Sequence, residues 1–297
     1  MKKKVLLIAA LSILISGNIL SADSIKGSDI IKMINSGKDV FLENTTIIGD
    51  LDFRGINDKE LKKKIFDSKK TYIYHVKVSL KFENCIFNDN FIAYFYDEDE
   101  KILHTVNFHK DAVFNKCKFK GLSAFKYVKF LDDSGFEGAI FKEEALFKYS
   151  EFETDVSFAG TSYKREANFK YTKFKENTDF SKSRFSDEAN FKYCHFDNNV
   201  NFKECKFIDG ANFKYTKFPE VIYFDGSAFH GNANYKYTVF RNKVSFLNVV
   251  FDEDINFKYT KFKKTPVFKG TKFNGDIDSK YAKVEGESFS KFLLKNH

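Results

Sequence analysis

Ala145-Leu146-Phe147-Lys148-Tyr149, Ala167-Asn168-Phe169-Lys170-Tyr171, Ala189-Asn190-Phe191-Lys192-Tyr193 and Ala211-Asn212-Phe213-Lys214-Tyr215 are one phrase written four times, 22 residues apart. Within each interval large apolar residues recur at alternating steps of five and six, as in Phe147, Phe152, Phe158, Tyr163 and Phe169. The series runs without a slip from Leu103 to Phe273, through 32 positions. Two residues before nearly every member stands a small or β-branched residue, such as Ala145, Ser150, Val156 or Thr161; Ile222, Ile255 and Pro266 are bulkier exceptions. Residues two apart on an extended segment point to the same side. Each segment therefore turns one small and one large group inward, and four segments close a coil of 22 residues. Stacked coils lie ~4.8 Å apart, the spacing of hydrogen-bonded strands, and bring the rings into four aromatic columns.

A helical reading of the same period fails. An eleven-residue repeat suits a right-handed coiled coil, but a five-residue step turns about 140° around a helix of 3.6 residues per turn. Successive rings would then face opposite ways. The composition, rich in Phe, Tyr, Thr, Asn, Asp and Lys, also disfavours helix. Thirty-eight phenylalanines with no tryptophan and two prolines require an ordered array to bury them.

The small-x-Phe-x-x pattern of Ala167-Asn168-Phe169-Lys170-Tyr171 resembles the pentapeptide-repeat family, and the five/six alternation resembles its Phe-rich subgroup. The resemblance spans about Leu103 to Val284. It implies an all-β fold, a right-handed quadrilateral parallel β-helix with short capping helices, and is nearly silent on function.

Outside the regular coils four regions are expected. Residues 1–22 read as a signal peptide: Lys2, Lys3 and Lys4 precede an apolar run from Val5 to Ile15, too short to span a bilayer, and Ser21 and Ala22 offer small residues for cleavage. The mature chain is then expected to be exported, as a periplasmic, cell-surface or secreted protein with no transmembrane segment. Residues 23–102 hold an N-terminal cap, the first coils and insertions. Asp23 to Gly37 reads as an amphipathic helix with Ser28 as N-cap, charged Asn57 to Lys70 as partly helical, and Phe91 to Val106 as a hairpin around Asp97–Glu100. The regular β-helix occupies 103–284, and 285–297 form a capping helix, needed because Ser279 replaces an inward Phe in the last coil.

The exterior carries one regular feature. Lys126, Lys148, Lys170, Lys192, Lys214, Lys236, Lys258 and Lys280 recur every 22 residues beside Tyr127, Tyr149, Tyr171, Tyr193, Tyr215, Tyr237, Tyr259 and Tyr281. One reading makes this a soluble duplicated corner, with an acidic column (Glu143, Glu144, Glu166, Asp187, Glu188) pairing with the lysines. The other makes it a linear binding surface for an anionic or glycan polymer of the envelope, or for another protein. The four cysteines, Cys85, Cys117, Cys194 and Cys205, occupy small inward positions; Cys85 and Cys117 fall in adjacent coils about 5 Å apart, within disulfide range. Six histidines lack metal-ligand spacing, with His195 and His230 read onto turns, and no catalytic constellation stands out. No metal, cofactor or nucleic acid is expected: the net charge of +8 opposes the DNA mimicry seen in some members of the family. The sequence thus points to a non-catalytic structural or binding scaffold. A glycan-active β-helix enzyme and a spacer with no ligand stay open as alternatives.

Overall fold

The computed structural model describes residues 24–64 and 67–296; the expected signal peptide lies outside them. Four sheets, one per side, wrap a single solenoid. In chain order through a coil, side one contains Ala112–Asn115, side two Lys118–Phe119, side three Ser123–Ala124 and side four Lys129–Phe130. Side one stacks nine strands from Val40–Glu43 to Val244–Ser245, and side three stacks ten from Leu51–Asp52 to Ile277–Asp278. Pairing is parallel and the register is the sequence period itself: Ala145 pairs with Ala167, Ala167 with Ala189, and Ala189 with Ala211.

The interior is aromatic. Down side three, Phe125, Phe147, Phe169, Phe191 and Phe213 stack at 4.8–5.1 Å with planes within 3° of parallel. Side one packs across the core against them edge-on, Phe180 meeting Phe191 at 5.2 Å and 82°. Offset stacks along columns and T-shaped contacts between columns are both favourable ring geometries. The small inward residues have a second task. Ser150, Thr172, Thr216 and Thr238 donate their hydroxyls at 2.6–2.7 Å to the carbonyls of Phe125, Phe147, Phe191 and Phe213. Buried hydroxyls are tolerated because they are paired.

The five/six alternation has a backbone cause. Each five-residue step crosses a corner by a tight turn whose third residue has positive φ, while the six-residue steps use an extra residue instead. At the corner from side three to side four that residue is always Tyr, with φ between 60° and 64° from Tyr127 to Tyr281. At the corner from side one to side two it is Lys116, Gly138, Gly160, Lys182, Glu204, Gly226, Asn248 and Gly270, at φ 52–70°.

The ends depart from expectation in detail. Helix α1 spans Gly27–Asn35 and buries Ile30, Ile31 and Ile34 as its pattern requires, but its N-cap is Lys26 and Ser28 lies inside it. Ser24–Lys26 is a strand, paired with Thr46–Ile48. The segment read as partly helical is a hairpin of Lys59–Lys64 and Asp67–Val76: its second strand, rich in Thr, Tyr and Ile, finds a parallel partner in Ile102–Phe108, and β-branched and aromatic residues favour that paired surface. The expected hairpin forms between Tyr94–Asp97 and Ile102–Phe108. It removes Leu103 from the interior series; Leu103 is half-buried, and Val106 and Phe108 are the inward residues. At the other end Glu287–Ser288 folds back on Lys283–Val284 before helix α2, Phe289–Asn296, which starts later than expected. Phe289 is buried over Phe257 at 5.2 Å and fills the place that Ser279 leaves empty.

Candidate functional site

The Lys–Tyr corner is built by three layers of repetition. On the outer face of side three Asn168, Asn190, Asn212, Asn234 and Asn256 each accept, through the side-chain oxygen, the backbone N–H of the lysine two residues on, at 3.0–3.2 Å. Such Asx contacts mimic a turn and fix its start. The backbone N–H of each tyrosine then donates to the lysine carbonyl of the next coil, Tyr149 to Lys170, Tyr171 to Lys192 and Tyr193 to Lys214, at 3.0–3.1 Å. Positive φ finally aims each phenol along the corner. From Tyr127 to Tyr259 the rings stack at 4.7–4.9 Å, tilted by no more than 5°. Tyr281 ends the column at 4.8 Å and 20°.

The lysines lie along these rings. Nζ of Lys148, Lys170, Lys192 and Lys214 stands 5.1–5.3 Å from its neighbouring Tyr centroid, within cation–π range. The acidic column does not neutralise them. Glu166 and Glu188 lie at the opposite end of the side-three strands, where Asn168 and Asn212 donate their amides to them. Among the described residues none of the eight ladder lysines has a carboxylate within 4.0 Å; the ion pairs belong to other lysines. Burial, then the charges of Lys170 and Lys126, hold Lys148 below the usual lysine range; burial and the charges of Lys170 and Lys214 do the same at Lys192. Glu166 is pushed up by burial and by Glu188. Each column repels itself, and the strand between them keeps the two apart.

The structure brings all sixteen sequence-read residues onto one edge. It adds residues the sequence reading passed over. Tyr94 extends the column as a further ring, 6.0 Å from Tyr127. The Asx row was visible as the Asn of Ala-Asn-Phe-Lys-Tyr but could be understood only once the turn was known. Side four widens the basic strip with outward Lys129, Lys173, Lys217 and Lys261, of which Lys129 and Lys173 share Glu151 at 2.9 and 3.7 Å.

The other candidates do not converge there. Cys85 and Cys117 are stacked in adjacent coils, as the register of Ile86 with Lys118 requires, yet both are buried free thiols, as are Cys194 and Cys205. Cys194 and Cys205 instead donate to the carbonyls of Phe169 and Phe180, standing in for the Thr and Ser of neighbouring coils. His195 lies on a strand, not a turn, and pairs with Asp197 at 2.8 Å. His75 and His109, far apart in sequence, share a hydrogen bond of 2.8 Å. Among the described residues no three His, Cys, Asp or Glu side chains are grouped to hold a metal ion, and no helix is long and apolar enough to cross a membrane.

Four parallel sheets, aromatic columns and a 22-residue register define a quadrilateral β-solenoid. The family model for pentapeptide repeats (9 copies) matches residues 104–151, 147–195 and 191–234, and the chain is a member of the pentapeptide-repeat family, whose solenoids are in general non-enzymatic structural folds. No match was found among curated proteins or solved structures.

Proposed function

We propose that this solenoid is a non-catalytic scaffold, acting outside the cytoplasm, whose Lys–Tyr edge binds an extended anionic polymer, foremost an acidic glycan. The observation that carries this reading is the row of lysines left without carboxylate partners beside a stack of aromatic rings. Like charges at a pitch of 4.7–4.9 Å raise one another's cost, and a bound polyanion removes it. Tyrosine rings supply faces and hydroxyl edges for sugars, so both halves of each rung have a use. The leader-like residues 1–22 support a place of action among envelope polymers.

The test is a binding array of acidic polysaccharides against residues 23–297, repeated over a salt series. Binding should weaken with added salt, and the combined K170E, K192E and K214E variant should lose about tenfold or more in affinity at an unchanged melting temperature. Parental binding by that variant, or no binding at low salt, would leave the corner a solvated edge of a spacer. Cleavage of a polysaccharide would favour the enzyme reading instead.

A further inference from the structure

The ladder is closed at one end. Ile102–Phe108 pairs along its whole length with Lys70–Val76, but only Asn107 and Phe108 pair onward to the next coil, at Lys129 and Phe130. Residues 102–105 pair instead with Tyr94–Asp97. Four strands are thereby carried past the corner as a flap beside the first rung, Lys126–Tyr127. The registers place Lys62, Thr71, Leu103 and Tyr96 in one row across its outer face, and Ile73, Thr105 and Tyr94 in the next.

Between this flap and the first rung lies a cleft of about 810 Å³, a size that suits a small ligand. Lys62, Lys70, Lys101, Lys126 and Lys129 line it, and no described Asp or Glu does. Lys62 and Lys129 have carboxylate partners in Glu60 and Glu151; Lys101 and Lys126 have none among the described residues. Lys126 donates to the Tyr94 hydroxyl at 3.1 Å, with Nζ 4.7 Å from the Tyr94 centroid and 5.3 Å from that of Tyr127. Tyr96 and Leu103 complete the apolar part of the wall. Past Tyr94 the aromatic column stops, because the preceding coil brings Arg54, ion-paired with Asp52 and 4.1 Å from the centroid of Phe95. At the other end Tyr281 is 58% exposed and nothing walls it off.

The geometry points to an end site: the cleft takes the terminal acidic sugar of a glycan chain whose following residues lie along the Lys–Tyr edge. This rests on the polymer-binding reading for the chain's continuation, but the cleft is complete without the ladder beyond Tyr127. Its cations recognise the acid group, its tyrosines the sugar ring, and the flap gives the bound chain a direction.

The experiment uses uronic-acid di- and trisaccharides, too short to follow the edge, and a long uronic-acid polymer, titrated calorimetrically into three proteins. These are the parent, a cleft variant (Y96A with K101E) and the edge variant (K170E, K192E, K214E). The short sugars should bind the parent and the edge variant alike and the cleft variant about tenfold more weakly. K101E alone, on an exposed turn, serves as a second variant should Y96A disturb the flap, and is expected to weaken the same sugars. Short sugars that bind the cleft variants as they bind the parent overturn the end site. So do short sugars that fail to bind while the polymer binds through the edge, an outcome that leaves the polymer reading intact. Short sugars lost only in the cleft variants, with polymer binding unchanged in the edge variant, support the cleft and overturn the edge. Failure of every probe overturns both.

Discussion

Two corners of this solenoid make the same turn and fill it differently. From side one to side two, the residue at positive φ is Gly in four of eight coils, Gly138, Gly160, Gly226 and Gly270, and Lys, Glu or Asn in the rest. From side three to side four it is Tyr in all eight. Positive φ is easy for Gly and costs a bulky residue on the order of 1 kcal/mol. The first corner behaves as backbone economy dictates, using Gly or a flexible polar side chain. The second accepts the strained choice every time. The compensation on the page is lateral: each Tyr ring stacks on two others and lies beside a lysine without a counter-ion. The difference separates a corner shaped by folding from one shaped by what it displays.

Both corners rest on one interior, and the largest effect comes from breaking that common support. Phe191 is fully buried, stacked on Phe169 and Phe213 and edge-on to Phe180. Phe191→Asp should cost about 4 kcal/mol or more, through an unpaired charge among rings and a lost aromatic. Thermal melting checks this, and a midpoint within a few degrees of the parent would remove Phe191 from the core. A smaller effect of opposite sign is expected just behind the Tyr corner. The buried Tyr235 hydroxyl has no hydrogen-bond partner, and burial pushes its pKa well up. Tyr235→Phe should stabilise the fold by ~1 kcal/mol, because an unsatisfied buried polar group costs ~1–3 kcal/mol. Urea unfolding that shows a loss instead would mean that the hydroxyl is paired.

The smallest effect bears directly on the two corners. Lys182→Gly, at φ 59°, should gain up to ~1 kcal/mol by relieving a left-handed side chain. Tyr193→Gly, at φ 60°, receives the same relief but loses two stacks at ~0.5–1.5 kcal/mol each, so it should be neutral or destabilising by ~1 kcal/mol. If both gain equally, ring stacking contributes nothing at the second corner and the contrast between them disappears.

The solenoid and its four columns were legible because inward positions repeat in the sequence with a fixed period and no interruption. The same periodicity delivered the Lys–Tyr edge. Its backbone conformation was written there too, in Gly138, Gly160, Gly226 and Gly270 at matching half-coil positions, but it takes the folded turn to see that Tyr occupies the equivalent place. The misreadings lie where periodicity ends. Lys59–Lys64 is as charged as a solvated helix, and only its pairing with Asp67–Val76, itself laid along Ile102–Phe108, makes it a strand. That partner is some forty residues away in the chain. The expected neutralisation of the lysines failed for a related reason: acids and lysines share a period, and periodicity alone does not reveal that they sit at opposite ends of the side-three strands.

The identical register between neighbouring coils also bears on how such a chain is inherited. Ala167, Ala189 and Ala211 pair in one row, and the residues around them are nearly the same words. An exchange between two copies of the encoding segment would delete or add one whole coil and rejoin Phe to Lys-Tyr in frame. The new neighbours would meet through the same ring stacks, Asx turns and carbonyl contacts as the old. Lineages can therefore lengthen or shorten this protein by single rungs without passing through a misfolded intermediate form, and differences in length between relatives should fall in multiples of 22.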